Sequence, residues 1–363
     1  MISALIWLIF ISSANPNSPG LFFFSSGLTA PRYLFIIYPN SCDFCDVIQY
    51  VGRKPRTKSV EQVMREVKNA HLIGARTVFF SDDNFLADKV FTEKLLAELI
   101  TWNSAQTRPL SFSTQITVEI ADDENLLRMC ADARFSVLFL GVETVRRESL
   151  LEVNKVHNLK YDIDERVNRI SRYGIMPFLG MIVGFDNDDE SVFNELYDFI
   201  ARTNSPIAGI SLLNAPRHTP LYQRLEKEDR LMGDDFSGEW QLYTNIIPKQ
   251  MSRATLLSHY CKLFKKIYDP ELFYHRLNGW LKQVNYQSNL YTRKKFDLRQ
   301  LSHSLRMVTY FLLFAQPEVR KLFWQSMIGT WKIDPKLMKR TFTFLGQYHH
   351  FYDFVREKLP ERI

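Results

Sequence analysis

The chain has 363 residues, 46% of them hydrophobic and 24% charged, which excludes a disordered or low-complexity protein and leaves room for about two packed domains. The formal charge of +6 is uneven: residues 251–363 hold 20 Lys plus Arg against 8 Asp plus Glu, or +12, leaving −6 for residues 1–250. That basic tail could suit an acidic partner, a nucleic acid or an anionic membrane surface, but reads more simply as a solvated helical face, and no nucleic-acid partner is expected. Four cysteines, at positions 42, 45, 130 and 261, are too few and too unevenly spaced for a disulfide scaffold, so a reducing, cytoplasmic setting fits better.

The apolar run 2–11 has no Lys or Arg ahead of it and is too short to cross a bilayer, so it reads as neither a secretory signal nor a span. Residues 1–32 show no clear period and read as an irregular, degraded N-terminal stretch. From there the chain alternates short apolar runs with segments of helical period, which predicts parallel strands joined by crossover helices. The strand candidates are 33–37, 77–80, 110–113, 136–141, 176–183 and 207–213, and the helix candidates between them are 60–72, 91–103, 124–131, 162–173 and 189–203. Six strands are fewer than the eight of a closed barrel, so the fold class is α/β, a partial (β/α)6 TIM-like barrel over residues 33–240. Beyond Trp240 the strands stop. Helix candidates 253–268, 270–283, 298–314, 317–331 and 335–358 make residues 241–363 an all-α C-terminal domain, several of its helices opening with Pro at the first position. Trp324, Trp331, Phe342, Phe344 and Phe351 are expected in its core.

In such a barrel the working residues follow the C-terminal strand ends. After the first strand comes Tyr38-Pro39-Asn40-Ser41-Cys42-Asp43-Phe44-Cys45. Two thiols three positions apart can face one soft metal centre, yet zinc, a redox disulfide and an iron–sulfur cluster all use C-x-x-C. Ser81-Asp82-Asp83-Asn84 ends the second strand, where the polar side chains either bind a ligand amine or cap the next helix. Gln115 and Glu119, past the third strand, face either substrate or solvent. Glu143 ends an apolar run, where it either accepts hydrogen bonds from hydroxyls or pairs with Arg146 or Arg147. Gly180 and Gly184 flank Met181, Ile182 and Val183, so that another group can come close or a helix can pack there. Cys130 and Cys261 lie among apolar residues and read as small buried hydrophobes.

The loop at Cys42, Phe44 and Cys45 resembles the cluster loop of radical S-adenosylmethionine (SAM) enzymes, whose signature is C-x-x-x-C-x-x-C with an aromatic residue before the last Cys. The first signature position falls on Tyr38. The resemblance extends over residues 38–290 through Ser81-Asp82-Asp83-Asn84-Phe85, Gly141-Val142-Glu143-Thr144, Gly180-Met181-Ile182-Val183-Gly184-Phe185-Asp186 and Asn214-Ala215-Pro216-Arg217-His218-Thr219-Pro220. Taken in order, these resemble the subfamily that carries a preceding cobalamin-binding domain and a helical extension. The stretch before Tyr38 is too short for that cobalamin domain.

The resemblance implies a 4Fe-4S cluster with Cys42 and Cys45 as ligands, S-adenosylmethionine as cofactor, and its reductive cleavage to a 5′-deoxyadenosyl radical. Phe44, Glu143, Gly180, Ile182 and Gly184 would shape the cofactor site, and Asp82, Asp83 and Asn84 would line its polar side. A small-molecule substrate, methyltransferase-like chemistry and a one-electron donor of the flavodoxin or ferredoxin kind follow from the same resemblance. Tyr38 keeps two alternatives open: a catalytically inactive homologue acting as a binding protein, and a C-x-x-C zinc or redox protein.

Overall fold

The computed structural model describes residues 29–32, 42–46, 58–82, 84–160, 162–233, 243–286, 305 and 308–358. Its centre is one sheet of six parallel strands in chain order: β1 (Thr29–Arg32), β2 (Thr77–Phe80), β3 (Ser111–Ile116), β4 (Phe135–Glu143), β5 (Met176–Val183) and β6 (Ala208–Leu212). The crossovers are α1 (Val60–Leu72), α2 (Lys89–Ser104), α3 (Glu124–Ala133), α4 (Arg147–Glu152), α5 (Ile163–Arg172) and α6 (Val192–Arg202). This is the partial α/β barrel that the alternation predicts. Because every strand runs the same way, all the C-terminal ends share one rim.

The first strand differs from expectation. Segment 33–37 lies outside the described residues, and β1 falls within the stretch that reads as irregular. Thr29-Ala30-Pro31-Arg32 has no apolar run to betray it, and its proline is tolerated because β1 lies at the sheet edge. The third strand runs on to Ile116, which places Gln115 inside it, and the fourth runs on to Glu143.

The helices begin where their sequence says they should. Ser59 and Gln62 form a capping box at α1, and Asp88, Asp123 and Asp162 each accept a backbone N–H at the start of α2, α3 and α5. Between sheet and helices the core is aromatic. Phe80 stacks on Phe112 at 5.6 Å and on Phe135 at 6.0 Å. All eight positions of β5 are buried, so it reads as an unbroken apolar run rather than an alternation.

After β6 come α7 (Pro220–Lys227), α8 (Arg253–Ile267), α9 (Pro270–Gln283), a helical stretch 308–313, α10 (Pro317–Ile333) and α11 (Met338–Asp353). Helix α8 covers the edge of β6: the Tyr260 hydroxyl donates to the Ile210 carbonyl at 2.9 Å and the Tyr268 hydroxyl to the Ala208 carbonyl at 2.7 Å. Those carbonyls would otherwise be raw sheet edge. From α9, buried Arg276 donates to the Ser205 carbonyl just ahead of β6. Phe344 and Phe351 are buried and Phe342 is partly buried, but Trp324 and Trp331 are 40% and 65% exposed, against the expected core. They share one outward stripe of α10 with Lys321, Ile328 and Lys332, whereas Trp280 of α9 is fully buried. None of the described helices is long and apolar enough to cross a membrane.

Candidate functional site

The cysteine loop is pinned by its own backbone. Asp43 N–H donates to the Val153 carbonyl at 3.1 Å, the Asp43 carbonyl accepts Leu221 N–H at 3.0 Å, and Cys45 N–H closes a tight turn on the Cys42 carbonyl at 3.1 Å. The loop is therefore held between the end of α4 and the start of α7. Neither cysteine is in a disulfide, and both are buried in one apolar cluster with Phe44, Ile182, Phe185 and Leu213. The Phe44 ring meets Phe185 edge-on at 6.4 Å.

Glu143, the last residue of β4, is 1% exposed and has φ +65°. A non-glycine residue in that region costs energy that the surroundings must supply, and such strain gathers at functional sites. The β4–β5 register shifts between Gly141 and Glu143, which re-aims the carboxylate. Glu143 Oε1 pairs with the Lys155 ammonium, while Oε2 has no hydrogen-bond partner. Arg146 is not the partner; it binds Glu195 and Asp189 instead. Lys155 is itself buried. Burial opposes its charge, yet the facing Glu143, Cys42 and Cys45 hold its pKa above the ordinary lysine value. One ammonium thus stands among the carboxylate and both thiols. The Asn158 side chain, donating to the Gly141 and Val142 carbonyls at 3.0 and 3.1 Å, ties the Lys155 turn to the end of β4.

At the end of β5, Gly184 has φ +108°, which only glycine adopts freely. A Cβ there would lie 3.4 Å from Leu256 and 3.6 Å from Leu213, so the residue serves a turn packed against the protein's own side chains. Asp188 closes that turn, its Oδ2 accepting Gly184 N–H at 2.9 Å and Phe185 N–H at 3.1 Å while Oδ1 accepts the Ser149 hydroxyl. Burial pushes its pKa from 3.8 up to about 6. The folded chain therefore binds this proton more tightly than the unfolded chain does, so the stability it brings is present below about pH 4 and lost as pH rises through about 6. The Asp188→Asn variant is expected to lose that slope, which urea midpoints at about pH 4.5 and about pH 7 would show.

Gly180 pairs across the sheet with Gly141 on one side and Gly209 on the other, leaving a row without side chains. Asp82 and Asn84 stand on the same rim beyond β2, buried to 1% and 9% exposure. Neither caps α2, whose N-cap is Asp88; Asn84 Oδ1 accepts Leu86 N–H instead. Asp83 and Tyr38 lie outside the described residues. The fold thus gathers Cys42, Phe44, Cys45, Glu143 and Ile182 closely, sets Asp82 and Asn84 two strands away, and gives Gly184 a local role.

Three features escape sequence reasoning. Lys155, in the turn that follows α4, has the look of a surface lysine. Asp188 sits in the acidic run Asp186-Asn187-Asp188-Asp189, which reads as a solvated loop. The third is an ionic tie in which Arg224 of α7 meets Glu152 of α4 at 3.1 Å and Asp186 at 2.5 Å, and Arg230 meets Asp186 at 2.6 Å. Its members are too far apart in sequence to be paired by spacing.

The Radical SAM superfamily matches residues 39–200. That part of the chain is a radical SAM domain. Beyond the radical SAM domain, residues 219–362 match a family described as "Domain of unknown function (DUF4070)". The chain is 30% identical over 337 residues to "Uncharacterized methyltransferase sll1242" of Synechocystis sp., covering 90% of the chain and 61% of that protein. It is also 36% identical over 198 residues to the hopanoid C-2 methylase of Rhodopseudomonas palustris, covering 54% of the chain and 38% of the methylase. The chain thus spans less than two thirds of the length of either relative. Among solved structures, the radical SAM methyltransferase TsrM of Kitasatospora setae, with cobalamin and a [4Fe-4S] cluster bound, shares the fold. The TM-score is 0.51 at 18% identity, over 62% of this chain and 42% of TsrM.

Proposed function

We propose that this chain holds a 4Fe-4S cluster through Cys42 and Cys45, binds S-adenosylmethionine along the rim from Glu143 to Asp82, and acts on a small molecule in methyltransferase-like fashion. One observation carries the reading: the Lys155 ammonium pairs with Glu143 within electrostatic reach of both buried thiols, so residues distant in sequence meet in one region. The residues fit the cofactors. Both thiols lie in one apolar cluster, and Glu143 Oε2 is buried with no partner, as an acceptor waiting for a hydroxyl donor would be. Among the described residues no three His, Cys, Asp or Glu side chains form a metal-holding group, so the two thiols would supply part of the ligand set only.

When bound, the cluster supplies the electron that cleaves S-adenosylmethionine and opens radical chemistry on the substrate. The protein's own residues position and shield. Phe44 and Ile182 keep water from the sulfur atoms. Lys155 keeps its partner carboxylate paired and offsets the thiolate charge. The row of Gly141, Gly180 and Gly209 admits a flat group against the sheet, and Asp82, Asp83 and Asn84 would offer oxygens to an ammonium. Methyl transfer and any use of cobalamin come from the relatives alone and stand as part of the proposal. The same holds for a cytoplasmic setting and a flavodoxin- or ferredoxin-like electron donor.

A second reading, a non-catalytic homologue, is favoured by Tyr38 at the first signature position. Anaerobic reconstitution of the chain beside a Tyr38→Cys variant decides between them. The variant is expected to retain more iron and sulfide and to cleave more S-adenosylmethionine. Background iron in both proteins would defeat the cluster assignment.

A further inference from the structure

The face of the sheet beside the thiol pocket carries a second polar feature that the cofactor reading leaves unused. Ser113 and Gln115 are alternate residues of β3 and so point to the same side. They are 2% and 6% exposed, and neither Ser113 Oγ nor Gln115 Nε2 has a hydrogen-bond partner. A buried donor left unmet costs about 1–3 kcal/mol, and native proteins carry few of them. On the neighbouring strand β4, Val137 and Gly141, which share this face with the buried Phe139, keep partial exposure, so solvent reaches the face at those two positions.

The register states what surrounds the two donors. Ser113 pairs with Phe79 on one side, Gln115 pairs with Phe139 on the other, and Phe139 pairs with Phe178. The rings form a chain, 5.9 Å from Phe79 to Phe139 and 4.5 Å from Phe139 to Phe178. Two uncharged donors are thus set in an aromatic floor, with the carboxylate of Glu143 at the end of the next strand.

We propose that Ser113 and Gln115 anchor the substrate, donating to a neutral carbonyl or hydroxyl oxygen of an otherwise apolar, ring-bearing molecule that lies on Phe79, Phe139 and Phe178. This deepens the function proposed above and rests on its placement of substrate inside the barrel. An anion is disfavoured, because Lys155, the cation of the neighbouring pocket, is already paired with Glu143. Both residues act by recognition, so replacing them should cost binding and leave the fold intact.

The test uses Prodan, a fluorescent naphthalene bearing one ketone, and 2-(dimethylamino)naphthalene, which lacks the ketone. Binding to the full chain is compared with Ser113→Ala, Gln115→Met and the double variant, and urea unfolding is recorded for each. Prodan is expected to bind the native chain with blue-shifted emission, and the double variant to bind it about 3- to 10-fold more weakly. The ketone-free probe should bind all four proteins alike, and the unfolding midpoints should hold or rise. Failure of the native chain to bind Prodan, equal weakening of both probes, or a lower midpoint in the variants would each overturn the anchor. Iron and sulfide after reconstitution are measured on the same proteins. Iron lost from every protein strikes the cluster reading alone, whereas iron retained beside unchanged Prodan binding in the variants strikes the anchor alone.

Discussion

A Lys155→Met variant is expected to lose about 3–5 kcal/mol of folding stability, because it strands a buried carboxylate without its counter-charge. Glu143 is 1% exposed, and Lys155 is its ion-pair partner. Water cannot take the ammonium's place cheaply in so closed a site. The loss comes from the orphaned charge rather than from any net worth of the pair, which makes the experiment a cycle. A Glu143→Leu, Lys155→Met double variant removes both charges and should recover most of the loss. Urea unfolding of the four proteins checks this. A loss below about 1 kcal/mol in Lys155→Met would mean that the pair is solvated and the pocket open.

Gly279→Ala is the second large effect, about 1–3 kcal/mol, from overpacking where the helices meet the barrel. A Cβ on Gly279 would overlap the Asn204 carboxamide and lie 3.1 Å from the Asn204 Cβ. Asn204 has little freedom to retreat, since it holds φ +52° in the turn between α6 and β6. Helix α9 would have to back away, loosening the Arg276 bond to the Ser205 carbonyl. Adding Asn204→Gly should restore stability, because glycine removes the obstructing side chain and suits the left-handed backbone. A Gly279→Ala chain as stable as the native one in urea would show that the contact yields.

Much of the fold was legible because its signals are local. The apolar run of β5 appears with its true bounds, since a strand buried on both faces advertises itself in every residue. The caps at Asp88, Asp123 and Asp162 sit where short polar side chains precede helical periods. β1 was hidden for the opposite reason: an edge strand with proline and little apolar character gives periodicity nothing to detect. The outward tryptophans of α10 misled because bulk alone does not tell which stripe of a helix turns inward.

The candidate site was legible only where a motif carried it. Cys42, Phe44, Cys45 and Glu143 could be named from the chain and meet in one pocket, but the ion that joins them could not. A lysine's partner is set by how two loops fold back, not by spacing. Gly184 shows where two readings part: its glycine allowed either a ligand's approach or a helix's packing, and it sits in a turn that Asp188 latches, facing Leu256 of α8.

The phenol groups of Tyr260 and Tyr268 carry a structural corollary. They occupy the acceptors that an additional strand would need, so the sheet is terminated by side chains from another part of the sequence. Edge-to-edge stacking of neighbouring molecules is blocked at that border as long as the helices stay seated. The seam between barrel and helices is therefore a bond line, and whatever loosens it also uncovers the adhesive flank of β6.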